Sequence, residues 1–222
     1  MPGTKTNLIE GEYKIFGDTY YEQMPSIIQE GFRPFNSKDI MEYRIKAAKS
    51  KMYERTFWLR DYWDTVDGLA YTNYKEGTLI VIPNSEELLC TNNDFKPGTG
   101  WNIELSQERY KELGEKYGVI ERGKIKLEEL TKKEAKEHPI WLKLAQDDKV
   151  VLSEYVDLMF SKFKRVKGMG IYISPEWREE QYYYSESPLL SYWCHRGLQV
   201  NCGVYSECLL NSDHKIIGIK QK

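Results

Sequence analysis

Five side chains able to hold a metal or move a proton cluster near the end of the chain. Cys194, His195, Cys202, Cys208 and His214 lie within 21 residues. Thiolate and imidazole are the ligands zinc prefers, and four in a tetrahedron make a structural site. Cys194, Cys202, Cys208 and His214 are therefore the candidate metal group. The spacing argues against it. No Cys-x2-Cys pair is present, and the cysteines are separated by steps of eight and six residues, unlike the short ligand pairs of zinc knuckles. Cys194 and His195 are adjacent, so on a strand they point to opposite faces. The spacing favours the other reading, small buried hydrophobes, and no metal is expected. A nucleophilic thiol at Cys194 or Cys202, activated by a histidine, is the remaining chemistry, and no local signature supports it.

Phosphate and carboxylate motifs are equally sparse. Gly168-Met169-Gly170 lacks the third glycine or the Lys-Ser/Thr pair of nucleotide loops, and it precedes a strand rather than a helix. Neither a His-Glu-x-x-His pair nor a calcium loop occurs. The run Tyr182-Tyr183-Tyr184, with Tyr172, Trp177 and Tyr192 nearby, offers rings that stack on a planar ligand or on one another. His138, just before Pro139, packs or caps rather than reacts.

Composition bounds the function. The chain has 222 residues, 41% hydrophobic, 14% aromatic and 30% charged, with net charge −2 and pI about 6.0. That is enough chain and enough apolar character to bury a core. The charge balance carries no global nucleic-acid or anionic-lipid signature. No apolar run reaches the roughly 18–20 residues that span a bilayer, and the first residues lack a signal-peptide core. A soluble cytoplasmic protein with thiol cysteines is the expectation.

The elements that would position these residues alternate without a βαβ rhythm. Strands are expected at 13–16, 56–63, 68–72, 78–82, 101–105, 118–127, 168–174, 189–195 and 214–220. Helices are expected at 21–30, closed by Gly31, and from a cap at Asn36 or Ser37 to about Lys51. In the second, Lys38, Arg44, Lys46, Lys49 and Lys51 form a solvated face. Asn84 with Glu87, and Thr131 with Glu134, read as capping boxes. Further helices run from Ser106 to about Lys116, break at His138-Pro139, and run from Asp147 or Asp148 to Phe163. Residues 91–100 are a loop by composition and a potential internal boundary. The sum is an α+β fold, a mixed or largely antiparallel sheet with several helices in a single compact unit.

Three segments resemble the ADP-ribosyltransferase family: GDTYYEQMPSIIQEGFRP at 17–34, GMGIYIS at 168–174, and SECLLNSDHKIIGI at 206–219. The resemblance implies that Tyr172, with Gly170, lies against the nicotinamide of NAD. It implies that Glu207 binds ribose hydroxyls and stabilises the oxocarbenium-like centre. The family's opening histidine motif is absent, with Phe16 and Asp18 in its place, and more than 130 residues separate the first two segments, which would require an inserted subdomain. With no complete catalytic motif, the leading expectation is a non-catalytic binding or accessory protein. It needs no cofactor and has a protein or small-ligand partner. The alternative is a diverged, NAD-dependent ADP-ribosyltransferase-like enzyme.

Overall fold

The structure, a computed structural model, describes residues 13–49, 59, 61–72, 77–89, 103–162, 168–173, 188–195, 202–207 and 213–220. Among these, ten strands join one sheet. They are β1 (Tyr13–Thr19), β2 (Phe32–Pro34), β3 (Trp63–Tyr71), β4 (Thr78–Ile82), β5 (Ile103–Glu104), β6 (Ile120–Glu121), β7 (Met169–Ile173), β8 (Leu189–His195), β9 (Cys202–Glu207) and β10 (Asp213–Lys220). The helices are α1 (Tyr20–Gln29), α2 (Ser37–Ala48), α3 (Gln107–Tyr117), α4 (Lys132–Glu137), α5 (Pro139–Leu144) and α6 (Lys149–Lys162), with 3-10 turns at Glu86–Leu89 and Arg122–Lys124.

The main path through the sheet is β1-β10-β3-β8-β9-β7. The last strand lies between the first and third: β1 pairs antiparallel with β10 from Tyr13↔Ile219 to Thr19↔Asp213, and β10 meets β3 in parallel at Ile216↔Asp64. β7 and β9 are also parallel, and the other pairs are antiparallel. The α+β expectation with a mixed sheet therefore holds.

Both faces of the sheet are covered, which explains why the central strands read as unbroken apolar runs. Leu69, Tyr71, Leu79, Val81 and Trp193 face a core shared with α2, α4, α5 and α6. Ala70, Ile80, Ile82, Tyr192 and Cys194 face the opposite core, built with Tyr20, Met24 and Ile27 of α1 and Leu113 of α3. Strand alternation assigns neighbours to opposite cores. Tyr192 stacks on Tyr20 with centroids 4.1 Å apart.

Local chemistry sets the helix ends. Asn36 caps α2 through the Asp39 N–H, and the Asp39 carboxylate returns to the Asn36 N–H. Thr131 and Glu134 form the expected box on α4. His138 accepts the Ile140 N–H on Nδ1 and donates from Nε2 to the Lys126 carbonyl, so it is the cap of α5, whose first residue is Pro139. Asp148 accepts from Val150 and Val151 at the start of α6. Gly31 takes the left-handed φ of 77° after α1.

Four expectations change. Trp63–Tyr71 form one long strand, β3, rather than pieces of two, and β9 is an additional strand. Arg44 is not on a solvated face. It is fully buried, donating to Tyr155 Oη at 3.0 Å and to the Asp61 carbonyl at 3.2 Å. Helical spacing alone assigned it outward, but α6 packs over that side of α2 and provides a phenol for the guanidinium. Asn84 does not box with Glu87. Its φ is 51°, and Glu87 is engaged by the Ser85 hydroxyl and by Arg109. Glu207 is the last residue of β9. The segment 91–100, Trp177, the tyrosines 182–184, Lys51 and Cys208 lie outside the described residues.

Candidate functional site

The most polar part of the interior surrounds an irregularity in β3. The register steps from Asp64↔Cys194 to Gly68↔Tyr192, so four residues of β3 oppose two of β8. Such a bulge leaves backbone groups unpaired and re-aims side chains. Several are satisfied from outside the ladder. Val66 N–H donates to the Phe35 carbonyl, and the Val66 carbonyl accepts the Ser85 N–H. Thr65 Oγ1 donates to the Trp193 carbonyl, and the Thr65 carbonyl accepts from Tyr20 Oη.

Asp67, on the same bulge, joins two further segments. Its carboxylate accepts the Ser37 N–H at 2.6 Å and the Asn84 N–H at 2.8 Å. Burial pushes this carboxyl up to about 6, against the groups of Ser37 and Asn84, which pull it down. At neutral pH it is still mostly ionised, and its position at the N-terminus of α2 favours the charge. Asn36 Nδ2 donates to Asn84 Oδ1 at 3.0 Å. Residues 34–37, 65–67 and 84–85 are thereby stitched into one frame.

A hollow of about 370 Å3 opens over this frame, lined by Arg33, Pro34, Asn36, Val66, Asn84 and Leu89. That volume is at the small end of ligand sites. Pro34, Val66 and Leu89 supply an aliphatic surface. Arg33 lies along the side, held by Asp39 through Nη1 at 2.7 Å and Nη2 at 3.1 Å. That hydrogen-bonded pairing keeps the guanidinium pKa above its ordinary value. Asn84 holds a left-handed backbone, uncommon for a non-glycine residue. Sequence reading missed this site because Asn36 and Asn84 looked like ordinary caps. The available signals were two aspartates inside a β-favouring run, Asp64 and Asp67, and the Pro83-Asn84 turn after β4.

The structure separates the cysteine–histidine pair. Cys194 packs into the core with α1. His195 faces the other way, between Trp141 and Tyr155, with centroids 6.2 and 6.5 Å away. Neither ring nitrogen of His195 has a hydrogen-bond partner among the described residues. Burial, and then Arg44, hold its pKa well below the usual 6.5. Among the described residues no group of histidine, cysteine or acidic side chains could hold a metal. Cys202 and His214 are placed by backbone on β9 and β10.

Tyr172 is half-buried on β7, and its ring lies over Gly170 and Gly203. A Cβ at Gly170 would stand 2.5 Å from Tyr172 Cε2. Gly170 thus makes room for this ring. Tyr172 pairs with Tyr205 across the parallel β7–β9 ladder, and Glu207 stands two residues further along β9.

A mixed ten-stranded sheet covered by helices on both faces, with a polar frame at one bulge, defines an α+β protein whose fold has a known likeness. The chain resembles a solved structure described as "Accommodation of massive sequence variation in Nanoarchaeota by the C-type lectin fold". The TM-score is 0.68 at 13% identity, over 96% of this chain and 100% of that one. The likeness identifies a C-type lectin fold. No model of a known protein family and no curated protein matches the chain. No helix among the described residues is long and apolar enough to cross a membrane.

Proposed function

We propose that the chain is a non-catalytic binding protein that recognises its ligand at the hollow over the β3 bulge. The observation that carries this reading is a concave aliphatic surface with a fixed polar edge: the buried Asp67 carboxylate sets the backbone at Ser37 and Asn84, Asn36 holds the Asn84 amide, and Asp39 holds the Arg33 guanidinium. A pre-formed edge spares a ligand the cost of ordering it. The fold likeness supports the reading: the Nanoarchaeota protein is described as using this fold to accommodate massive sequence variation. A scaffold braced from inside, as at Asp67, leaves exposed positions free to change. The test is a thermal-shift screen of small peptides, sugars and anions against the wild type and Leu89→Trp, which fills the hollow. At least one class should stabilise the wild type and not the variant. Stabilisers acting equally on both, or none at all, would refute the reading.

A second reading, ADP-ribosyl transfer from NAD, is favoured by one observation. Glu207 lies two residues past the register partner of Tyr172. In that reaction the nicotinamide–ribose bond breaks, nicotinamide leaves, and an acceptor nucleophile takes the ribosyl carbon. The assay is nicotinamide release from NAD by the wild type and by Glu207→Gln. Release lost in the variant supports this reading, and no release above buffer ends it.

A further inference from the structure

We infer that the hollow takes a neutral peptide segment, one aliphatic side chain flanked by backbone carbonyls. The inference rests on the binding reading above and adds the ligand's chemistry. Hydrogen-bond direction decides it first. Asn36 Oδ1 is committed to the Asp39 N–H, so its Nδ2 must donate, and Asn84 must answer with Oδ1. That fixes the Asn84 amide and leaves its Nδ2 as a donor with no partner among the described residues. Arg33 spends Nη1 and Nη2 on Asp39, and its Nε donor is likewise without a partner among the described residues. The acceptors nearby are already used: Asp39 by Arg33 and the Asn36 N–H, Asn84 Oδ1 by Asn36. The wall therefore offers donors and asks for acceptors.

Charge decides next. Arg33 is neutralised by Asp39, and the Asp67 carboxylate lies behind the frame. The wall is neutral to slightly negative, so a free anion gains nothing by entering. A cation finds the side-chain acceptors of Asp39 and Asn84 already taken. A sugar carries hydroxyls around most of its ring, and those turned onto Pro34, Val66 and Leu89 would lose their water without finding partners. A peptide carbonyl accepts only, and the peptide N–H groups can stay on the outer edge in solvent. Pro34, Val66 and Leu89 then cover one branched side chain.

The probe is N-acetyl-L-leucine methylamide, titrated into the full chain labelled with 15N, with methyl glucoside and acetate as comparison ligands. Saturable shifts are expected at the Val66, Asn84 and Leu89 amides, with a Kd on the order of millimolar for so small a ligand. Asn84→Asp tolerates the left-handed backbone, keeps the oxygen that accepts from Asn36 and removes the amide donor, and should weaken binding at least about fivefold, the worth of one hydrogen bond. Leu89→Trp should abolish the shifts while the rest of the spectrum is unchanged. No shift at those amides, or an equal response to the glucoside or to acetate, overturns the peptide assignment. If another class in the thermal-shift screen binds the hollow while the probe does not, the ligand chemistry is wrong and the binding reading survives. If nothing distinguishes the wild type from Leu89→Trp, both fall.

Discussion

Acidification to about pH 5 should cost this protein about 2 kcal/mol through His195 alone. The ring is fully buried between Trp141 and Tyr155, with the Arg44 side chain donating to the His195 carbonyl, and burial keeps the imidazole neutral in the fold. In the unfolded chain the same ring titrates near 6.5. A base whose pKa is depressed by folding contributes fully above 6.5, and that contribution is lost as pH falls, because the unfolded state binds the extra proton. The loss is about 1.4 kcal/mol per pH unit, so 1.5 units below 6.5 gives about 2 kcal/mol. For a chain of this size that is a melting shift of about 4–8 °C. The perturbation is His195→Phe, which keeps an aromatic ring and removes both nitrogens. Urea unfolding of wild type and variant near pH 7.5 and pH 5 gives two differences. Asp67 and His138 titrate in both proteins, so comparing the differences isolates His195. The wild type should lose about 2 kcal/mol more than His195→Phe. Equal losses would mean that the fold does not hold this ring neutral, and the reasoning would fail.

Two further outcomes follow from the bulge frame. Asp67→Asn leaves one of two N–H donors facing an amide NH2 and should cost about 1–3 kcal/mol at pH 7. A carboxyl raised to about 6 gains stability as pH falls through that value, so the gap should widen by about 2 kcal/mol at pH 4.5 in urea titrations; a constant gap would contradict the buried, raised carboxyl. Asn36→Ala should cost about 1–2 kcal/mol by removing the α2 cap, and Asn36→Ser should recover most of it in thermal melts, since a hydroxyl still accepts the Asp39 N–H. Failure of serine to recover stability would place the weight on the Asn36–Asn84 bond instead.

Much of the scaffold was legible because local chemistry and burial agreed. The run at Thr78–Ile82, the Thr131–Glu134 box, the His138-Pro139 break and the Asp148 cap each follow from a few neighbouring residues. What was hidden depends on distant partners. Arg44 resembles any helix-surface arginine until Tyr155, 111 residues away, lies over it. Asn84 resembles an N-cap until Asp67 takes its N–H and Asn36 its side-chain oxygen. The C-terminal cysteines and histidines drew attention by residue type, yet strand alternation sends Cys194 and His195 into different cores. The hollow has no signature by residue type, because its polar edge is two asparagines and an arginine.

The bulge explains why such ordinary residues can form a site. A regular β3 would match β8 residue for residue and give Asp67 a ladder position. The two extra residues instead carry its carboxylate to the start of α2 and to the turn after β4. One buried charge then sets both the entry of α2 and the left-handed backbone of Asn84. Stability and the shape of the hollow are therefore coupled at Asp67 and Asn36, where a replacement must disturb both. They are uncoupled at the Asn84 Nδ2 group, which the frame does not use, and less tightly coupled at Leu89, which is only partly buried where it packs against the core. Variation confined to these outer positions would change what the hollow accepts while the bulge, the α2 cap and the two cores stay as they are.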